Sequence, residues 1–196
     1  MTKRQILILD GHPDPDPQRY VHALAAAYRD GASSAGHETL LLRAADLDVP
    51  LLRTQAEYER GEPGEAVQRA QAAFDWATHV VILYPLWLGA MPALLKALLE
   101  QMLRPGFAFS TRQLGRPPVK FHAGKSARIV VTMGMPAFVY QHWYRAHSVR
   151  SLRRNVLQFI GFRRVRVSLI GAMGTLSRAR YEAWLDKMRA LGREGL

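Results

Sequence analysis

Three groups of residues in this chain have the types and spacing of a ligand site. The densest lies in residues 78–109. There the apolar run Val80, Val81, Ile82, Leu83 leads into Tyr84-Pro85-Leu86-Trp87-Leu88-Gly89. Pro85 and Pro92 stiffen this loop, Gly89 frees its middle, and Trp87 supplies a flat apolar face. Such a loop suits a planar heteroaromatic ring whose edge is read by backbone N–H and C=O groups. The second group is Gly11-His12, at the end of the apolar run QILILD. The third is Thr132-Met133-Gly134-Met135, at the end of ARIVVTM. A further stretch, residues 137–147, is loaded with Tyr140, His142, Trp143, Tyr144 and His147.

Other chemistries lack their residues. The chain has no cysteine, which excludes disulfides, thiolate nucleophiles and Cys-ligated metals or iron–sulfur clusters. His142 and His147 are five apart with no nearby Glu, so they miss the i, i+4 spacing of a helical metal pair, and no metal is expected. No GxGxxG follows the first apolar run, which disfavours a Rossmann NAD site. No Gly-x-Ser-x-Gly elbow or Walker A sequence supports a hydrolase or NTPase.

The three groups fall where an alternating α/β chain would place them. Strands are expected over residues 5–10, 37–43, 78–84, 127–133 and 163–170, as near-continuous Ile/Leu/Val runs of the kind buried on both faces of a parallel sheet. Helices are expected over 17–33, 66–77, 92–103, 148–160 and 177–191, with a polar excursion over 46–64 and a long Gly/Pro-rich loop over 104–125. Asp16-Pro17 reads as the start of the first helix, with Asp as N-cap and Pro at the first helical position. The alternation predicts one doubly wound domain, 1–196, with flavodoxin-like strand order 2-1-3-4-5 and helices on both faces. Its crevice would lie at the carboxyl ends of strands one, three and four, where all three groups sit.

The net charge is +11, mostly arginine. The arginines are scattered apart from Arg150, Arg153, Arg154, Arg163, Arg164 and Arg166. No helix-turn-helix, RNA-recognition or zinc pattern accompanies them, so nucleic acid is not the expected partner. The amino-terminal MTKRQILILD lacks the apolar core of a secretory signal, and apolar runs are strand-length rather than membrane-spanning. A cytoplasmic protein without stable membrane insertion is expected.

Taken in order, Gly11-His12-Pro13, residues 84–96, Pro105-Gly106-Phe107-Ala108-Phe109 and Val131-Thr132-Met133-Gly134 resemble the flavin-dependent NAD(P)H:quinone oxidoreductases. That family includes DT-diaphorase and the flavoprotein partner of bacterial potassium-efflux systems. The resemblance covers nearly the whole chain and is nearer the compact bacterial members. It implies bound FMN, with FAD as the alternative, at the three strand ends, and NADPH or NADH as electron donor. It also implies a quinone or similar aromatic acceptor, ping-pong two-electron transfer, and a homodimer whose sites draw on both subunits. Carried over residue by residue, it assigns His12 to the flavin phosphate and Pro85, Leu86, Trp87 and Leu88 to the isoalloxazine loop. Thr132, Met133, Gly134 and Met135 form the other wall. Tyr140 and His147 take the places of a Tyr and a His near the hydride-accepting oxygen, where they would stabilise charge and supply a proton. The chain departs from the family pattern in two places. Asp14-Pro15-Asp16-Pro17-Gln18-Arg19 stands where members keep Ser or Thr and Asn for the phosphate; Arg19 can offset Asp16 and is expected to hold the phosphate with His12 and backbone N–H groups. Leu88 stands where many members have a second aromatic. These departures raise a rival expectation, a flavodoxin-like regulatory or binding subunit whose redox activity is weak or lost. Reduction of nitro- or azo-aromatics by the same flavin is a third.

Overall fold

The computed structural model describes residues 2–110 and 117–196. The middle of the expected 104–125 loop, including Arg112 and Arg116, lies outside the described residues. Five strands form: β1 (Gln5–Asp10), β2 (Glu38–Arg43), β3 (His79–Pro85), β4 (Ser126–Thr132) and β5 (Arg164–Ile170). All four neighbouring pairs are parallel, in the order β2-β1-β3-β4-β5. Every residue of the central β3 is buried, as its unbroken apolar run requires. The edge strands β2 and β5 are partly exposed.

Side chains alternate across the sheet and feed two apolar layers. Leu7, Leu9, Val80, Ile82 and Tyr84 point to one face, which is covered by α3 (Glu65–Trp76) and α4 (Ala93–Met102). Ile6, Ile8, Val81 and Leu83 point to the other, covered by α1 (Tyr20–Ser34) and α7 (Arg178–Glu194). The α1–α7 crossing is close because two glycines meet there. A Cβ on Gly31 would lie 2.0 Å from the Arg189 carbonyl oxygen, and one on Gly192 would lie 2.1 Å from that of Tyr28. Among the described residues, no helix is long and apolar enough to cross a membrane.

Three expectations need correction, and one helix is additional. The first helix begins at Tyr20, with Arg19 in the N-cap place, and Asp16-Pro17 belongs to the preceding loop. The polar excursion contains a short helix, α2 (Gln55–Arg60), capped by Thr54, whose hydroxyl accepts from the Glu57 amide. The aromatic stretch forms α5 (Ala137–His142). Residues 148–160 are not one α-helix: α6 (His147–Ser151) passes into a π-helical segment, Leu152–Leu157. The reason lies in the apolar spacing. Val149 and Leu152 are three apart, but Leu152 and Leu157 are five apart and both buried. Five residues do not share an α-helical face; a π turn, bonded i to i+5, brings them together.

Candidate active site at the strand carboxyl ends

The loop after β1 is built by an alternation of acceptors and prolines. The amide of His12 donates to Asp10 Oδ1 (3.1 Å) and that of Asp14 to His12 Nδ1 (3.1 Å). The amides of Asp16 and Gln18 donate to Asp14 Oδ1 and Asp16 Oδ1, each at 3.0 Å. Pro13, Pro15 and Pro17 fill the places between, where no N–H needs a partner. Each acceptor side chain therefore closes a local turn two residues on, which competes with helix formation. That is why Asp16 does not cap α1 and the helix waits until Tyr20.

The same network fixes His12. Its Nδ1 accepts a hydrogen bond, so the neutral ring carries its proton on Nε2, the one nitrogen left for a ligand. Burial first, and then the neighbouring His22, hold its pKa below the usual histidine value. His22, in the first turn of α1, sets Nδ1 against Asp10 Oδ2 at 2.5 Å and Nε2 against the Asp14 carbonyl at 3.0 Å. Both partners are acceptors, so both bonds are complete only in the imidazolium form. Asp10 and His22 are thus an ion pair beneath the loop, with side chains 1% and 9% exposed. Arg19 is not free to neutralise a ligand. Its Nε lies 2.7 Å from Asp14 Oδ2 and its Nη2 lies 3.3 Å from Asp16 Oδ2. The Asp16 amide and, after it, Arg19 hold the Asp14 carboxyl below its ordinary pKa.

Pro85 ends β3, and the Leu86 amide donates to the Thr132 carbonyl at 2.7 Å, tying this loop to the end of β4. Trp87 and Ala90 then pair through both backbone bonds, each 2.9 Å. The turn between them holds Leu88 at φ 47° and Gly89 at φ 78°. Two successive positive φ values make a type I′ turn, where Asn-Gly is the usual choice. Leucine there costs about 1 kcal/mol, and its side chain stands fully exposed. Trp87, half-exposed, meets His12 edge-on with ring centroids 5.9 Å apart.

On the third side, Thr132 and Met133 are buried while Gly134 is exposed. Met133 continues the ladder to Ile170 at 2.8 Å, and Ala172 and Met173 donate back to the carbonyls of Met135 and Met133. A Cβ built on Gly134 would meet nothing within 4 Å, so open space lies before this backbone.

The structure therefore brings His12, Pro85, Leu86, Trp87, Leu88, Thr132, Met133, Gly134 and Met135 to one end of the sheet. Arg19 joins them at the start of α1. Tyr140 and His147 are placed differently from each other. Tyr140 is buried; its hydroxyl pairs with Ser148 Oγ at 2.7 Å and accepts from the Val149 amide at 3.3 Å. Its carbonyl accepts from the Ala146 amide at 3.0 Å. It thus pins the strained turn Arg145-Ala146 (φ 52° and 49°), after which His147 stands exposed. Sequence reasoning missed the Asp10–His22 pair. The alternation of prolines with residues whose amides need acceptors was the available signal.

The residues present fit a planar ring with a polar edge. The amides of Leu88, Gly89 and Gly134 donate to no acceptor among the described residues, Trp87 offers a face, and Gly134 leaves room. The start of α1 has helix-end amides and the Nε2–H of His12, but two aspartates share one arginine beside them. A hollow of about 500 Å³ adjoins these ends, lined by Pro136, Phe138, Gly171 and Ala172, and two others lie elsewhere. One of about 470 Å³ is walled by α4 and the π segment, and one of about 580 Å³ lies at the amino-terminal ends of the strands. The strand carboxyl ends form an open shelf, which suits a site completed by a second surface.

A family model described as "Flavodoxin-like fold" matches residues 4–191, and the chain belongs to that family. Solved structures share the fold. The NAD(P)H:quinone oxidoreductase from Methanothermobacter marburgensis superposes with a TM-score of 0.84 at 22% identity, covering 100% of both chains. An FMN-dependent NADH-azoreductase from Bacillus anthracis, solved with FMN, gives 0.76 at 15% identity over 99% of both chains. An NADPH-quinone reductase from P. pentosaceus gives 0.67 at 16% identity, covering 96% of this chain and 97% of the other. No curated protein matches the sequence.

Proposed function

We propose that this protein is a flavin-dependent NAD(P)H oxidoreductase that reduces quinones or similar aromatic acceptors in the cytoplasm. The observation that carries the reading is the convergence of unpaired amides (Leu88, Gly89, Gly134), the Trp87 face and the His12 Nε2–H at the carboxyl ends of β1, β3 and β4. The structural neighbours named quinone oxidoreductase and azoreductase support it. FMN, with FAD as the alternative, would supply hydride acceptance and delivery. The chain's own residues do the rest. The 85–88 and 132–135 backbones hold the ring edges. Trp87 and the methionines exclude water from its faces. His12 donates to a phosphate or ring oxygen. His147 delivers a proton from the turn that Tyr140 positions. Exposed Phe138, Trp143 and Tyr144, close together in sequence, and exposed Leu88 on the loop after β3 fit a homodimer that completes the site. Nitro- or azo-aromatic reduction would use the same shelf.

One observation favours a second reading. Asp14 and Asp16 already take up Arg19 where a phosphate would sit, as expected of a binding or regulatory subunit with residual redox activity. The deciding experiment incubates the protein with FMN and separately FAD, desalts it, and adds NADPH or NADH anaerobically. Retained yellow colour that bleaches with the donor supports the oxidoreductase. Colourless protein with both flavins refutes it and favours the second reading.

A further inference from the structure

A second hollow lies at the amino-terminal ends of the strands, opposite the shelf, with a volume of about 580 Å³. Its floor is a row of side chains across three parallel strands, because His79, Ser126 and Arg164 are in register and share one face. Two residues further along that face, Arg128 and Arg166 stand directly opposite each other. Like charges so placed repel. Arg128 is satisfied by the Leu196 carbonyl oxygen (2.7 Å) and Ser168 Oγ (2.8 Å). Arg163, Arg164 and Arg166 are exposed and form no ion pair among the described residues. Asp75 is 3.7 Å from Lys125, which also lines the hollow.

The floor also holds an unused donor. His79 is 2% exposed. Arg4 Nη1 donates to Ser126 Oγ (3.3 Å), which pairs with His79 Nδ1 (2.8 Å); in the tautomer where the hydroxyl donates to Nδ1, the ring proton is on Nε2. That Nε2–H meets no acceptor among the described residues. A buried donor without a partner is costly and marks a place where a ligand oxygen is expected. Burial and then the surrounding arginines keep the imidazole neutral, with its pKa pushed down to about 3. The wall therefore offers donors and an excess of positive charge, with Asp75 beside Lys125 and Glu194 near Arg128 as the neighbouring carboxylates.

We propose that this hollow binds a linear oligophosphate, its phosphates held by Arg4, Arg164 and Arg166 over the buried His79 donor. Arginine suits this role because its planar fork meets phosphate oxygens two at a time. The site is at the other end of the sheet from the shelf, so it stands or falls independently of the flavin reading.

The test is isothermal titration calorimetry with sodium tripolyphosphate and with ATP, in about 0.15 M salt so that diffuse attraction is screened. Saturable one-to-one binding is expected. Arg164→Gln/Arg166→Gln should weaken it at least ten-fold, and His79→Gln should weaken it several-fold. Arg29→Gln/Arg60→Gln, which removes the same charge from exposed sites elsewhere, should leave it unchanged. Equal affinity for the two ligands supports recognition of the phosphate chain alone, and tighter ATP binding supports a nucleotide. Absence of saturable binding, or equal weakening by both double substitutions, overturns the proposal. So does single-stranded DNA that binds more tightly than tripolyphosphate and displaces it, which would make the face a nucleic-acid surface.

Discussion

Replacing His22 by leucine tests whether the loop after β1 rests on a buried ion pair. In the native protein Asp10, 1% exposed, spends one oxygen on the His12 amide and the other on His22. Leucine fills the space and suits a helix, but it leaves the Asp10 carboxylate without its counter-charge and the Asp14 carbonyl without its donor. Breaking a buried pair from one side costs roughly 3–5 kcal/mol. The partial exposure of His22 argues for the lower end, about 3 kcal/mol, or roughly 6–12 °C in Tm for a chain of this size. Asp10→Asn alone should be mild, below about 1.5 kcal/mol, because an amide at that place can donate to a neutral His22. The double substitution Asp10→Asn/His22→Leu should recover at least half of the loss, since no charge is then stranded. Urea unfolding followed by circular dichroism at pH 7 measures all three against the native protein. A His22→Leu loss below about 1 kcal/mol, or a double variant no more stable than His22→Leu, would refute the ion-pair account.

Three other outcomes are expected. His122 is buried against Phe74 and Phe107, and burial pushes its pKa down from 6.5 to about 4. Above pH 6.5 neither state gains a proton there. Below it the unfolded chain does and the folded one does not, so stability falls by about 3 kcal/mol between pH 6.5 and about 4. His122→Phe should flatten that part of the pH profile, and an unchanged slope by urea midpoints contradicts the assignment. Gly31→Ala forces a Cβ to within 2.0 Å of the Arg189 carbonyl oxygen and must part α1 from α7, at a cost of about 2–4 kcal/mol. Thermal unfolding within a degree or two of native would show that the crossing is looser. Trp87→Ala should weaken flavin retention about ten-fold, as loss of an aromatic face costs about 1–1.5 kcal/mol. Fluorescence titration with FMN checks it, and unchanged affinity removes Trp87 from the ring site.

The sheet was legible in the chain because its strands are apolar on both faces. Val80 to Leu83 can only be central, and the alternation with helices leaves few topologies. For the same reason the strand-end loops, rich in Pro, Gly and Trp, stand out in the sequence. The π segment was written in the five-residue gap between Leu152 and Leu157, but a helical period assumed in advance hides it. The start of α1 was misread because Asp16-Pro17 satisfies a local rule that a competing set of local bonds overrides. The Asp10–His22 pair joins residues 12 apart in sequence, and the His79, Ser126 and Arg164 row joins three separate strands. The alternation of prolines and acceptors marks the loop that holds Asp10, but no local pattern names the partner such a residue meets. Such meetings follow from strand register and helix docking, which depend on how the two apolar layers close over the sheet. The sequence by itself determined the kind of sheet and which end carries the candidate site. Tertiary packing decided that Arg19 is already spent on two aspartates, that Tyr140 is a brace for the His147 turn, and that a basic hollow forms at the opposite end.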